Sequence, residues 1–258
     1  MNRIASVIVM QARDRGTWFV TPWSALGAVF AIGWVIALSR DVLMGGIHDI
    51  FTGALASIFI VMLVGGIGAV TGTFPFATSF GTLRRDYVLG TLAMAGAVSA
   101  AGAILLTLLS LVEAKVIKNW GVGLHFFYLP YFSDGSPLQK FCWTADTVCA
   151  QADPNYVSGG SPLGQVWVFF VLLLFMCVLG VLFGSIYQRF ARTGVYITLG
   201  IVILLLSVLV LVSSAWGWWG AIFGWLAQQT AAGLVEWSVP LIAFFALVSY
   251  ALLRKATV

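Results

Sequence analysis

Between Phe74 and Gly90 the sequence is Phe-Pro-Phe-Ala-Thr-Ser-Phe-Gly-Thr-Leu-Arg-Arg-Asp-Tyr-Val-Leu-Gly, with three adjacent charged residues at positions 84–86. The charge-free runs Ile50–Leu83 and Tyr87–Val112 lie on either side of these charges. A helix that crosses a bilayer needs about 20 predominantly apolar residues, and both runs exceed that length. The stretch is therefore predicted to join two transmembrane helices at a membrane surface.

The composition also indicates a membrane protein. Of the 258 residues, 61% are hydrophobic and 9% are charged, whereas about a quarter of the residues in a soluble domain are charged. The apolar segments are continuous and do not alternate with polar residues, which indicates helices and not a β-barrel. The net charge of +4 is then no sign of nucleic-acid binding. We predict an all-α, polytopic membrane protein with a single transmembrane domain over residues 1–258.

Charge-free runs and basic residues together predict the topology. Six transmembrane helices are expected, at roughly 22–39, 51–72, 88–112, 165–187, 194–214 and 237–253. With a cytoplasmic N-terminus, nine of the thirteen Lys and Arg residues lie in cytoplasmic segments, as the positive-inside rule favours. The protein is therefore predicted to lie in the cell membrane with both termini in the cytoplasm.

The charge-free run Thr193–Val235 is long enough for two crossings. A seventh transmembrane helix would place Arg254 and Lys255 on the outer side, against the positive-inside rule. Residues 215–236, which are rich in Trp and Gly, are instead predicted to form an outer re-entrant or interfacial hairpin.

The N-terminal segment, residues 1–21, contains Ile4, Val7 and Ile8 at helical spacing. This pattern predicts an amphipathic helix that lies on the inner membrane surface. An inert lead-in to the first transmembrane helix is the alternative.

Residues 73–87 are predicted to form a turn followed by a short helix. Pro75 predicts a turn at Phe74, because the residue before a proline is disfavoured in the α conformation. The apolar residues that follow recur at spacings of four, three and four, which predicts one apolar stripe: Phe76, Phe80, Leu83 and Tyr87. Arg84 and Arg85 can then meet phosphate headgroups or the carboxylates of a partner. An ordinary positive-inside loop is the alternative.

Small residues at a spacing of four predict where helices pack closely in lipid. Gly68 and Gly72 form one such pair in the second predicted helix, and Gly180 and Gly184 form another in the fourth.

The run Phe80–Gly90 resembles the loop between the second and third transmembrane helices of type-2 ABC transporter permeases. In that family a small-residue turn precedes a basic pair, an aromatic residue and a glycine. The six-helix plan and the amphipathic N-terminus are also similar to the family. The resemblance implies the permease subunit of an ABC exporter, which forms a homodimer or a heterodimer and is bound by two ATPase subunits. It also implies a coupling helix that docks in a cleft of the ATPase, with these coupling candidates: Phe80, Gly81, Leu83, Arg84, Arg85, Asp86 and Tyr87.

Missing motifs restrict the function further. The chain has no Gly-x-x-x-x-Gly-Lys-Ser/Thr phosphate loop and no catalytic constellation, so we expect no enzyme, with ATP and Mg²⁺ bound by the partner ATPase. No ionisable residue lies near the middle of a predicted transmembrane helix, which weighs against a carrier driven by an ion gradient.

In the family the first, second and fifth transmembrane helices line the transport path. Here those helices are apolar, which suggests alternating access for a hydrophobic or amphipathic cargo. A membrane scaffold or sensor that binds an outer partner is the other alternative.

The outer loop 113–164 departs from the family, in which this loop is commonly short. Its aromatic residues predict an ordered outer cap: Trp120, His125, Phe126, Phe127, Tyr128, Tyr131, Phe132, Phe141 and Trp143. Cys142 and Cys149 lie on the predicted oxidising side of the membrane, so a disulfide between them is the leading prediction. Together with His125 they supply three potential ligands, one fewer than a structural zinc site needs, and no metal is expected.

Overall fold

The protein is described by a computed structural model over residues 3–44, 50–51, 55–117, 120, 124–127, 162–228 and 231–254. Its helices are α1 (Arg3–Arg13), α2 (Thr21–Met44), α3 (Ala56–Ser79), α4 (Arg84–Val112), α5 (Pro162–Ala215), α6 (Trp219–Gln228) and α7 (Ala231–Arg254). Two π-helical turns, Gly16–Val20 and Glu113–Ile117, extend α2 and α4. The strands β1 (Ile50–Phe51) and β2 (Leu124–His125) pair in parallel.

Six helical segments in the described parts of the chain are long and apolar enough to cross a membrane. They are Gly16–Ser39, Ala56–Ser79, Arg84–Ile117, Pro162–Ala191, Tyr196–Ala215 and Val235–Arg254. Each overlaps one of the six predicted transmembrane helices. The prediction of an all-α, multi-pass membrane protein is therefore confirmed.

Helix α5 contains two of these segments. Ala191 interrupts it with φ of 54° and ψ of −155°, which are not helical values. We call Pro162–Ala191 the first arm of α5 and Tyr196–Ala215 the second arm. Helix α6, which follows the second arm, has ten residues and a rise of about 15 Å, half the thickness of a hydrocarbon core. It cannot add a seventh crossing, while its predicted re-entrant or interfacial position stays a prediction.

The first arm of α5 packs closely along α3. A Cβ atom on Gly180 would overlap the carbonyl group of Leu63, and one on Gly184 would lie 2.9 Å from Cβ of Val70. Because contacts advance along both helices together, the two run parallel. The prediction that Gly180 and Gly184 mark a packed face is confirmed. It is wrong for Gly72 within this bundle, since a Cβ there would meet no atom of another helix, whereas a Cβ on Gly68 would lie 3.9 Å from Cγ2 of Thr17.

Helix α1 packs across the beginning of α4. Val7 and Gln11 are buried, and a Cβ on Gly90 would lie 2.7 Å from Cγ1 of Val7. The Nε2 of Gln11 donates a hydrogen bond to Oγ1 of Thr91 at 2.8 Å. The predicted N-terminal helix is therefore present, with Val7 on its buried face. Its position on a membrane surface stays a prediction.

The turn that Pro75 predicts at Phe74 is absent, because α3 continues through the proline. A proline inside a helix has no N–H for the carbonyl group four residues earlier, which here belongs to Thr71. Gln188 in the first arm of α5 donates its Nε2 to that oxygen at 3.1 Å, and it lies 3.4 Å from the carbonyl oxygen of Val70. A side chain 117 positions away thus replaces the missing backbone donor.

The second arm of α5 is the least packed transmembrane segment of the chain's described part. Every side chain from Ile201 to Val212 is exposed, and nearly all of them are large and apolar. An apolar helix that is exposed on all sides needs lipid or another subunit around it.

Candidate functional site

The junction between α3 and α4, residues 76–87, has a short turn at its centre. Gly81 takes a left-handed backbone conformation with φ of 75°. Its N–H donates to the carbonyl oxygen of Thr78 at 3.0 Å, and the N–H of Thr82 donates to that of Ala77 at 3.2 Å. These two hydrogen bonds form a Schellman motif, which ends a helix at a left-handed residue, most often glycine. Helix α3 therefore ends because of this glycine.

The short coupling helix predicted within residues 73–87 is not a separate element in the structure. Residues 76–79 are the last turn of α3, and residues 84–87 are the first turn of α4. The four-three-four spacing of the apolar residues crosses the turn at 80–83, where helical periodicity does not apply. The prediction of one continuous apolar stripe is wrong for that reason. The predicted role in coupling to an ATPase stays a prediction.

Apolar and basic side chains project from the junction. Phe80 is 74% exposed and Leu83 is 53% exposed, and the ring centroids of Phe76 and Phe80 lie 4.6 Å apart. Arg85 is exposed beside them and Arg84 is half-buried. Aromatic residues and arginines are enriched in protein interfaces. The junction therefore presents a small mixed surface of the kind that a protein partner binds.

Tyr87 lies on the opposite side of the junction, inside the bundle. Its side chain is fully buried, and its hydroxyl group donates to the carbonyl oxygen of Ala69 at 2.8 Å. The same hydroxyl lies 2.8 Å from Oγ1 of Thr73, and the ring packs edge-on against Phe74 with centroids 5.2 Å apart. Tyr87 thus ties the start of α4 to α3 and is not part of the exposed surface.

The two remaining coupling candidates have backbone and electrostatic roles. Gly81 supplies the left-handed position of the turn. Asp86 lies in the first turn of α4, where a negative charge interacts favourably with the positive end of the helix dipole.

The junction also contacts the end of α7. Nη1 of Arg84 donates to the carbonyl oxygen of Arg254 at 3.0 Å, so residues 170 positions apart in sequence meet at one end of the bundle. Arginine often caps the last carbonyl groups of a helix in this way. The sequence gives no signal that Arg254, or Tyr250 one turn before it, lies at the junction, because no periodicity links α4 to α7.

The opposite end of α4 holds the described part of the predicted outer cap. Oε1 and Oε2 of buried Glu113 accept hydrogen bonds from the N–H groups of Phe126 and Phe127 at 2.6 and 2.7 Å. The ring of Phe30 in α2 lies 5.0 Å from that of Phe126 and 4.7 Å from that of Trp120, between centroids. This part of the loop is therefore packed on the bundle. Residues 128–161 lie outside the described residues.

The predicted disulfide between Cys142 and Cys149 also lies outside the described residues and stays a prediction. Cys177 is a free, buried thiol in the first arm of α5. Within the described ranges, no group of three His, Cys, Asp or Glu residues is arranged to hold a metal ion.

Comparisons with known proteins give no relative for this chain: no protein-family model, no curated protein and no solved structure matches it. Its class therefore follows from the fold alone, an all-α membrane protein with six membrane-crossing segments.

Proposed function

We propose that the chain is the membrane-spanning permease subunit of an ATP-driven ABC exporter in the cell membrane, with both termini in the cytoplasm. Two separate ATPase subunits dock on the junction and bind ATP and Mg²⁺, and the permease itself has no enzymatic activity. Closure of the ATPases pushes on the junction and drives alternating access.

The geometry of the junction is the observation that carries this proposal. An element that transmits a push must be exposed to its partner and stiff relative to its own helices. Phe80, Leu83 and Arg85 are exposed, the Schellman motif closes the turn between them, and buried Tyr87 fixes the turn to α3. These features support a docking surface for an ATPase.

The second arm of α5 supports assembly with a second permease subunit, identical or related. Its apolar side chains are exposed along its length, which fits a helix whose neighbours are another subunit and lipid. The same apolar character suggests a hydrophobic or amphipathic cargo.

Purification of the full chain from its native membrane in mild detergent tests the proposal. We expect a subunit with a Gly-x-x-x-x-Gly-Lys-Ser/Thr phosphate loop to co-purify and the complex to hydrolyse ATP. The double variant Arg84→Glu/Arg85→Glu reverses the charge of the docking surface and should reduce both co-purification and hydrolysis by at least about tenfold, the effect of about 1.4 kcal/mol.

A charge-matched control uses Arg13→Glu/Arg15→Glu, since both arginines are exposed and lie outside the junction. This control should retain the ATPase and its activity. Absence of any ATPase in the wild-type preparation, or equal losses in the two double variants, would contradict the proposal.

A second function, binding of an outer partner by a scaffold or sensor, is favoured by a different observation. Glu113 holds Phe126 and Phe127 against the bundle, which gives the aromatic loop a fixed base. This function does not require the charges of the junction. If the Arg84→Glu/Arg85→Glu variant replaces the wild-type protein in cells without loss of function, that result would favour the scaffold or sensor over the exporter.

A further inference from the structure

A cavity of about 440 Å³ lies where the junction meets the end of α7. Its volume is within the range of about 300–1,000 Å³ that is usual for small-molecule sites. The residues that line it include three arginines: Thr82, Leu83, Arg84, Arg85, Tyr250 and Arg254.

The charges of this cavity are unbalanced. Arg84, Arg85 and Arg254 make up half of its six lining residues, and the described lining contains no carboxylate. Asp86 follows Arg85 in sequence but does not line the cavity. Like charges held close together repel, and guanidinium groups bind phosphate oxygens through paired, charge-assisted hydrogen bonds.

The contacts of the arginines hold the cavity in place. Nη1 of Arg84 donates to the carbonyl oxygen of Arg254 at 3.0 Å, which fixes the start of α4 beside the end of α7. Tyr250, one turn before Arg254, packs against the buried cluster around Tyr87. The start of α4 and the end of α7 therefore form the walls of one site, and each contributes arginine to it.

The position of the cavity distinguishes a lipid from a soluble anion. Arg84 begins one membrane-crossing segment and Arg254 ends another, so the cavity lies at the depth of the lipid headgroups. Leu83 and Tyr250 provide apolar or aromatic surface beside the arginines. Basic pockets between transmembrane helices at this depth are suited to anionic headgroups.

We propose that this cavity binds the phosphate group of an anionic phospholipid. Arg84 and Arg254 bind the phosphate oxygens from two helices, while Leu83 and Tyr250 contact the start of the acyl region. The lipid would thereby link α4 to α7 at the junction. This proposal does not depend on an ATPase, because lipid binding is measured on the isolated chain.

Native mass spectrometry of the full chain in mild detergent tests it with three probes: phosphatidylglycerol, phosphatidylcholine and inorganic phosphate. We expect phosphatidylglycerol to bind in preference to the zwitterionic lipid, and inorganic phosphate at equal concentration to leave it bound. We expect each arginine that lines the cavity to contribute about fivefold to the affinity for anionic lipid, the effect of about 1 kcal/mol. The variant Arg84→Gln/Arg254→Gln should therefore bind phosphatidylglycerol about 25-fold more weakly.

Arg189→Gln is the matched control, since Arg189 lies over the ring of Phe190 at 4.9 Å and does not line the cavity. It should bind phosphatidylglycerol like the wild type. Arg85→Gln provides a single change at an exposed side chain, with an expected loss of about fivefold, if the double variant does not fold.

Three results would overturn the proposal. Equal affinity of Arg84→Gln/Arg254→Gln and the wild type for phosphatidylglycerol would place the lipid elsewhere. Displacement of the lipid by inorganic phosphate would indicate a site for a soluble anion. Loss of ATPase association in Arg254→Gln with unchanged lipid binding would assign the cavity to the protein partner.

Discussion

The hydrogen bond from Gln188 to the carbonyl oxygen of Thr71 predicts that the effect of a Gln188 substitution on stability depends on the residue at position 75. Gln188→Leu leaves that oxygen without its 3.1 Å donor inside a membrane-crossing segment. An unsatisfied buried acceptor costs about 1–3 kcal/mol, while hydrogen bonds between transmembrane helices average about 0.6 kcal/mol. We expect a loss of about 1 kcal/mol, or about 2–4 °C in Tm for a chain of this size.

The same substitution should be nearly neutral in a Pro75→Ala background. Alanine restores an N–H at position 75, and that N–H can donate to the oxygen of Thr71 in the ordinary helical pattern. The measurement is a double-mutant cycle of thermal unfolding in mild detergent.

Gln165→Leu serves as the control for this cycle. It makes the same change in the first arm of α5, where Oε1 of Gln165 is buried without a partner, and its effect should not depend on position 75. An equal loss from Gln188→Leu in the wild-type and Pro75→Ala backgrounds would refute the reasoning.

Two further predictions concern helix packing and the outer cap. Gly180→Ala should destabilise the protein by about 1–3 kcal/mol in thermal unfolding, because the added methyl group overpacks against the backbone of α3. Gly200 has open space around it, so Gly200→Ala should not lower the stability. Equal effects of the two substitutions would contradict the close α3–α5 contact. Glu113→Gln replaces one of the two oxygens that accept backbone N–H groups with an NH2 group that cannot accept, so hydrogen exchange at Phe126 and Phe127 should speed up by at least about tenfold. Unchanged exchange would refute the anchoring role of the Glu113 side chain.

The sequence predicted the membrane-crossing segments well because their signal is local. A charge-free run of sufficient length is enough to identify each segment, and the six segments of the structure overlap the six predicted ones. The pair Gly180 and Gly184 was likewise predictable, since its spacing lies within one helix. Local spacing cannot tell whether a given glycine faces a neighbouring helix, and the prediction is wrong for Gly72 for that reason.

The junction was predicted in position but not in structure. Pro75 favours a local turn, but α3 continues past it, and Gln188, which is distant in sequence, donates to the carbonyl oxygen that the proline leaves without a backbone donor. Gly81 was the usable local signal, because a glycine directly after a helix end is typical of a Schellman motif. Once the helix ends there, Tyr87 belongs to α4, and its orientation no longer follows from the spacing of Phe76 and Phe80.

The surface of the junction and its placement therefore depend on different parts of the chain. The exposed surface comes from the local residues Phe80 to Arg85, whereas its placement depends on hydrogen bonds to the backbone from Gln188, Tyr87 and Arg84. Substitution of Phe80 or Leu83 changes the surface and leaves these bonds intact. Substitution of Gln188 weakens the placement and leaves the surface intact. A docking role requires the surface and a force-transmitting role requires the placement as well, so the two kinds of variant separate partner binding from the coupling of ATP hydrolysis to transport.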